Sequence, residues 1–234
     1  MPRDDFPIGL QRIIGQIRYR PTLTSFQAVT EAAKLLEDEF TEWLAPKPDV
    51  VTLYTPENKK YIEITSDAIT YVKEGVQTPN ELQSFVTKVF DIATEKFKVV
   101  EIRRIGFRKT QILETTFSFS DLVDLLYKKL YPQNAQIKEI SGENTRDLQF
   151  VLDSSNDGFL NHTQIGPLDK KEVSIYFRSK FDEKVEIHPN QGLFIDVDVF
   201  ANDDLTVENT KEKLDQIISE NDRILKGYLE YIQS

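Results

Sequence analysis

The stretch Lys98-Val99-Val100-Glu101-Ile102-Arg103-Arg104-Ile105-Gly106-Phe107-Arg108-Lys109-Thr110-Gln111-Ile112-Leu113-Glu114 reads as one long strand. β-Branched and aromatic residues recur along it, and no proline interrupts it. A period of two puts Ile102, Arg104, Gly106, Arg108 and Thr110 on one face. Glu101, Arg103, Ile105, Phe107 and Lys109 take the other. Gly106 leaves a gap between two arginines, where a phosphate or a ligand backbone could come close and be held by guanidinium forks.

Working outward, Thr78-Pro79-Asn80-Glu81 starts a helix that runs to about Phe97. Residues 49–55, 60–66 and 68–73 read as three strands, the first two a hairpin around Pro56-Glu57-Asn58. Residues 24–44 read as a helix capped by Thr24 or Ser25, with Phe26, Val29, Ala32, Ala33, Leu36, Phe40 and Trp43 inward. Ile13-Ile14-Gly15-Gln16-Ile17-Arg18-Tyr19-Arg20 is a strand that Pro21 ends, with Gln16, Arg18 and Arg20 on one face.

On the C-terminal side, Ser120 caps a helix to about Tyr131. Residues 136–140, 146–153, 172–178 and 192–200 read as strands. Residues 154–171, rich in Asn, Asp, Gly and Ser, read as a mobile loop or a long hairpin spanning Asn161 to Gln164. Thr206 caps a last helix to about Tyr231, with a wide apolar stripe interrupted by Asn221. The stripe suits core packing against a sheet, or an interface in which Asn221 sets register. The expected fold is α+β: a curved, mostly antiparallel sheet with helices packed on one side. Residues 1–116 and 117–234 form two α+β halves of similar outline, a pseudo-duplication, within one continuous structure.

Composition bounds the function. The 234 residues are 39% hydrophobic and include no Cys, which removes disulfides, thiolate metal sites and thiol nucleophiles. No run of 18 uncharged apolar residues predicts a membrane span, and the N-terminus lacks the apolar run of a signal peptide, so a cytoplasmic protein is expected. A net charge of −10 argues against non-specific duplex DNA or an anionic membrane as partner. Residues 121–234 hold 13 basic and 22 acidic groups, a balance of −9. Seven of the ten arginines fall in two segments: Arg3, Arg12, Arg18 and Arg20, then Arg103, Arg104 and Arg108. If the two strands are neighbours, Arg18, Arg20, Arg104 and Arg108 line one surface, with Gly106 among them. That surface would take an anionic ligand or partner; the plainer alternative is a sheet face laced with Arg–carboxylate pairs.

Leu193-Phe194-Ile195-Asp196-Val197-Asp198-Val199-Phe200 puts two carboxylates on one face of a strand. Such pairs bind Mg²⁺ in nucleotidyltransferases and palm cyclases. Those enzymes need a further acidic motif or a Gly-Ser turn at set spacing, and neither occurs here. The two histidines, His162 and His188, are not at metal-ligand spacing. There is no Walker A loop, no Gly-x-Gly-x-x-Gly and no Gly-x-Ser-x-Gly elbow.

Ile17-Arg18-Tyr19-Arg20-Pro21, Arg104-Ile105-Gly106-Phe107-Arg108, Phe194-Ile195-Asp196-Val197-Asp198 and the last helix with Leu214-Asp215 and Asn221-Asp222-Arg223-Ile224 come in a suggestive order. They resemble a sporadically distributed prokaryotic family of conserved hypothetical proteins. Its strand motifs are EIRF/Y-x-P, R-x-G-L-R-Y-x-N and L-D-I-D, and its C-terminal helix reads LDxxHxxI…F. This chain has Lys109 for the motif's Tyr, Gln111 for its Asn and Asn221 for its His. The resemblance implies no established activity; the family's patchy distribution implies mobile loci of the defence type.

The reading is therefore a non-enzymatic binding or assembly protein with no cofactor. It would recognise a protein partner, a second copy of itself or an anionic ligand through Arg18, Arg20, Arg104, Gly106 and Arg108. The alternative is a metal-dependent phosphoryl-transfer or nuclease-like enzyme centred on Asp196 and Asp198.

Overall fold

The computed structural model describes residues 6–57, 59–75, 79–99, 101–131, 146–176 and 191–234. Nine strands form one open antiparallel sheet. In chain order they are β1 (Ile8–Tyr19), β2 (Glu42–Lys47), β3 (Val50–Thr55), β4 (Lys60–Thr65), β5 (Ala68–Glu74), β6 (Ile102–Glu114), β7 (Phe150–Asn156), β8 (Phe159–Asp169) and β9 (Gln191–Ala201). Across the sheet they run β2-β3-β4-β5-β1-β6-β9-β8-β7. Among the described residues five α-helices accompany them: α1 (Leu23–Lys34), α2 (Pro79–Phe97), α3 (Phe119–Leu130), α4 (Lys170–Tyr176) and α5 (Thr210–Gln233). This is the expected α+β fold with a curved antiparallel sheet.

β1 and β6, one from each end of the first half, pair in the middle of the sheet, with Gly15 opposite Phe107 and Arg18 opposite Arg104. Each is followed by a helix, a set of antiparallel strands and a second helix. The last strand of each set returns to pair with the strand that began it, β5 with β1 and β9 with β6. The likeness is one of arrangement: the first set has four strands, the second three with α4 inserted.

Alternation sorts the side chains between two faces. Ile13 and Ile17 of β1, Ile105 and Phe107 of β6, and Val197 and Val199 of β9 join one core with Val29 of α1, Val89 of α2, Leu126 of α3 and Ile217 of α5. Tyr19 closes the end of this core against Phe97 with ring centroids 5.5 Å apart, its hydroxyl donating to the Thr65 carbonyl at 2.8 Å. The opposite face carries a second, small cluster in which Val173 of α4 packs on Ile112, Leu168 and Phe194. Among the described helices, α4 is the one that packs in this second cluster; the others join the main core.

Several local expectations shift. α1 ends at Lys34, and Glu42–Lys47 is strand rather than helix, pairing Trp43 with Leu53. Trp43, expected inward, is 69% exposed. Tertiary pairing along β3 overrides the helical spacing there. The caps also lie two to three residues earlier than expected. Thr22 and Ser25 form a capping box on α1, and Ser118 and Asp121 one on α3. At the last helix the N-cap is Asn209 rather than Thr206, and Thr206 accepts from the Asn209 N–H in the preceding turn.

Residues 154–169 lie in a tight hairpin rather than a mobile loop, and 170–171 begin α4. Asn156 pairs with Phe159, and Asp157 and Gly158 take φ of 50° and 82° between them. An Asp-Gly pair with positive φ matches the twist of the flanking strands, so the turn lies there and not at Asn161–Gln164. Of the strand expected at 172–178, residues 172–176 are helical, part of α4, and 177–178 lie outside the described residues. Asp169 accepts from the Lys171 and Glu172 N–H groups, which starts the turn. The strand expected at 136–140 lies outside the described residues. Among the described residues no helix is long and apolar enough to cross a membrane.

Candidate functional site

The site lies on the sheet face opposite the core, where β1, β6, β9, β8 and β7 run side by side. Register brings the chemistry-bearing residues into rows. One row runs Asp153, His162, Asp198, Arg108; the next runs Gln164, Asp196, Thr110, Arg12, Glu74. The arginines and the aspartates, two separate candidates in the sequence, are thus one cluster.

Asp196 is fully buried, and three donor atoms converge on it. Arg108 reaches it through Nε at 2.9 Å and Nη2 at 2.6 Å, and Thr110 Oγ1 donates at 2.6 Å. This fork-on-carboxylate geometry is the strong form of an ion pair, and it satisfies a charge that could not otherwise be buried. Asp198 takes Arg104 Nη2 at 3.0 Å. Burial lifts the Asp198 carboxyl above its ordinary pKa; Arg104 and Arg108 oppose the shift and Asp196 adds to it.

The gap at Gly106 is filled from within. A Cβ on Gly106 would stand 3.0–3.2 Å from the Arg104 guanidinium, which lies across the glycine. The absence of a side chain at Gly106 leaves the space in which Arg104 crosses its own strand. The guanidinium carbon sits over the Phe200 ring, 4.5 Å from its centre.

Arg104 and Arg18 stand directly opposite each other, and both donate to one atom, Gln16 Oε1, at 3.0 and 2.7 Å. Gln16 is itself held by its Nε2 donating to Thr70 at 2.9 Å. Just beyond this pair the ladder shifts register between Arg18 and Tyr19, a bulge at the end of the row. Arg20 does not join the cluster. It lies past β1, exposed, with Nη1 3.5 Å from Glu101.

Reading the sequence missed four participants: Thr110 and Gln16 as hydrogen-bonding partners, Phe200 as the stacking plane, and His162. His162 looked like a loop residue but stands on β8 opposite Asp198, with Nδ1 2.6 Å from Asp153. Their parity along the strands was readable. The register that joins one strand to the next was not. Among the described residues no three His, Asp or Glu side chains gather as a metal cage. No protein-family model matches the chain, and no curated protein is similar to it.

Proposed function

We propose that the chain is a non-enzymatic binding or assembly component that takes an acidic segment of a partner protein at the Arg18–Arg104 end of the open sheet face. One observation carries this reading. Two guanidinium groups are set directly opposite each other on neighbouring strands and share a single amide oxygen, with one carboxylate, Asp198, serving the pair. Like charges placed opposite each other across a ladder destabilise it, so the arrangement suits an anion supplied from outside. Arg18 is exposed, and among the described residues it has no carboxylate partner. A cytoplasmic setting accords with a chain that contains no Cys. Membership of a mobile, defence-type prokaryotic locus rests on the strand motifs alone.

The alternative, a metal-dependent phosphoryl-transfer enzyme on Asp196 and Asp198, would need a divalent ion to displace Arg108 and Arg104 from the carboxylates they already hold. Titrating a fluorescent poly-glutamate peptide into the wild type and Arg18→Ala tests the proposal. A charge-assisted contact is worth about 1.5–3 kcal/mol, so the variant should bind at least about ten-fold more weakly and the wild type should lose affinity as salt rises. Equal binding by both proteins, or none by either, overturns it. A Mg²⁺-dependent rise in melting temperature would favour the enzyme reading instead.

A further inference from the structure

On the other side of the sheet, at its far edge, a groove of about 330 Å³ runs between the β7–β8 hairpin and α5. Leu152, Phe159, Ile224 and Tyr228 are its large apolar lining residues, and the exposed Arg223 and Gly227 line it beside them. β7 is the last strand of the sheet order, and every residue from Val151 to Asn156 is exposed. The two edges of the sheet are built differently. β2 contains Pro46 and Lys47 and a register shift between Leu44 and Lys47, devices that keep an edge from pairing with another chain. β7 contains neither residue type, and it pairs with β8 without a shift from Phe150 to Asn156.

Gly227 is the second observation. A glycine inside a helix costs about 1 kcal/mol relative to alanine. A Cβ added there would meet nothing within 4 Å. The chain's own packing therefore does not require this glycine, whereas a segment lying close along α5 would.

We propose that the β7 edge and this groove together accept an extended segment of a partner protein, with alternating apolar and basic residues, as an added strand. Strand addition supplies backbone hydrogen bonds at the edge, and alternate side chains supply selectivity. The even-numbered residues Leu152, Ser154 and Asn156 line the groove, so alternate side chains of the added strand would enter it and meet its apolar lining. The intervening side chains fall on the face of Asp153, whose carboxylate is 80% exposed. Arg223 is already taken by Glu220 through two contacts of 2.6 Å, and Asp157 adds further negative charge beside it. With residues 121–234 at −9, from 13 basic and 22 acidic groups, a second copy would bring like charge to like charge. A basic segment is the complementary occupant. This inference is independent of the arginine face.

The test uses the full chain and a synthetic eight-residue peptide of alternating valine and lysine, capped at both ends. Saturable binding is expected, followed by fluorescence anisotropy. It should weaken roughly ten-fold or more when each lysine is replaced by glutamate, and disappear when alternate backbone nitrogens are methylated. Gly227→Leu should abolish binding by placing a side chain in the groove that Gly227 lines. Gly227→Ala should raise the melting temperature while weakening binding, a combination that damage to the fold would not produce. Several results would overturn the proposal: no saturable binding, binding that Gly227→Leu leaves unchanged, equal affinity for the glutamate peptide, or a dimer in sedimentation that the peptide does not dissociate.

Discussion

Arg108 and Asp196 make an unequal pair: the arginine side chain is 40% exposed and the carboxylate is not exposed at all. Arg108→Ala would leave Asp196 buried with Thr110 as its one remaining side-chain donor among the described residues. Breaking such a pair from the exposed side should cost about 3 kcal/mol, at the low end for buried pairs because solvent reaches the gap. Urea unfolding measures it, and a loss below about 0.5 kcal/mol would mean that the pair is dispensable. Asp198 behaves in the opposite sense to an ordinary ion-paired carboxylate. Its pKa in the fold is raised from 3.8, so just above that pH the folded chain keeps a proton that the unfolded chain has released. The stability this group contributes therefore falls as pH rises through the window above 3.8. Compared with Asp198→Asn across the acid range, the wild type should lose ground as pH rises. A difference that grows with pH would show that Arg104 outweighs burial.

The clasp between β6, β9 and α5 rests on polar atoms inside the core. Asn221 is fully buried, and its Nδ2 donates to the Val197 carbonyl at 2.7 Å and to the Phe107 carbonyl at 3.2 Å. The next residue, Asp222, pairs with Lys109 on β6. β6 therefore meets α5 twice, Lys109 through Asp222 and the Phe107 carbonyl through Asn221. Farther along β6, Gln111 donates to the Gln11 side chain across β1 and β6 at 2.6 Å. Asn221 thus ties the helix to two strands of its own chain rather than setting register in an interface. Asn221→Ala removes two hydrogen bonds worth about 1 kcal/mol each and opens a small cavity, so a loss of about 2–4 kcal/mol is expected in chemical denaturation. Loss of helix content without a change in stability would contradict this role.

β6 belongs to residues 1–116, yet it supplies Arg104 and Arg108 to the aspartates of β9 in residues 117–234. Cutting the chain between the halves would leave Asp196 in the second piece without its guanidinium partner. The intact chain is therefore expected to unfold in one transition, with far-ultraviolet circular dichroism and Trp43 fluorescence changing together in urea. Two separated transitions would mean that the halves are independent domains. Among the described residues, four helices share the core on one face, while the arginine cluster and α4 lie on the other.

Local chemistry is enough to read most of β1, over 13–19, the long strand Ile102–Glu114, the Pro79 helix start and the β3–β4 hairpin from residues alone, whereas the extension of β1 back to Ile8 is not legible there. Period-two and period-3.6 patterns are properties of neighbouring residues, and they survive any packing that buries one face. The end of α1, the helix at Lys170–Tyr176 and the partners of the arginines were decided by tertiary contacts. Trp43 is exposed because β3 offered its backbone to Glu42–Lys47. Arg104 lies over Gly106 because Asp198 and Gln16 stand on the strands at either side. The parity of each arginine and aspartate was written along its own strand. Which arginine would face which carboxylate depended on a register between residues about ninety positions apart, which no local pattern encodes.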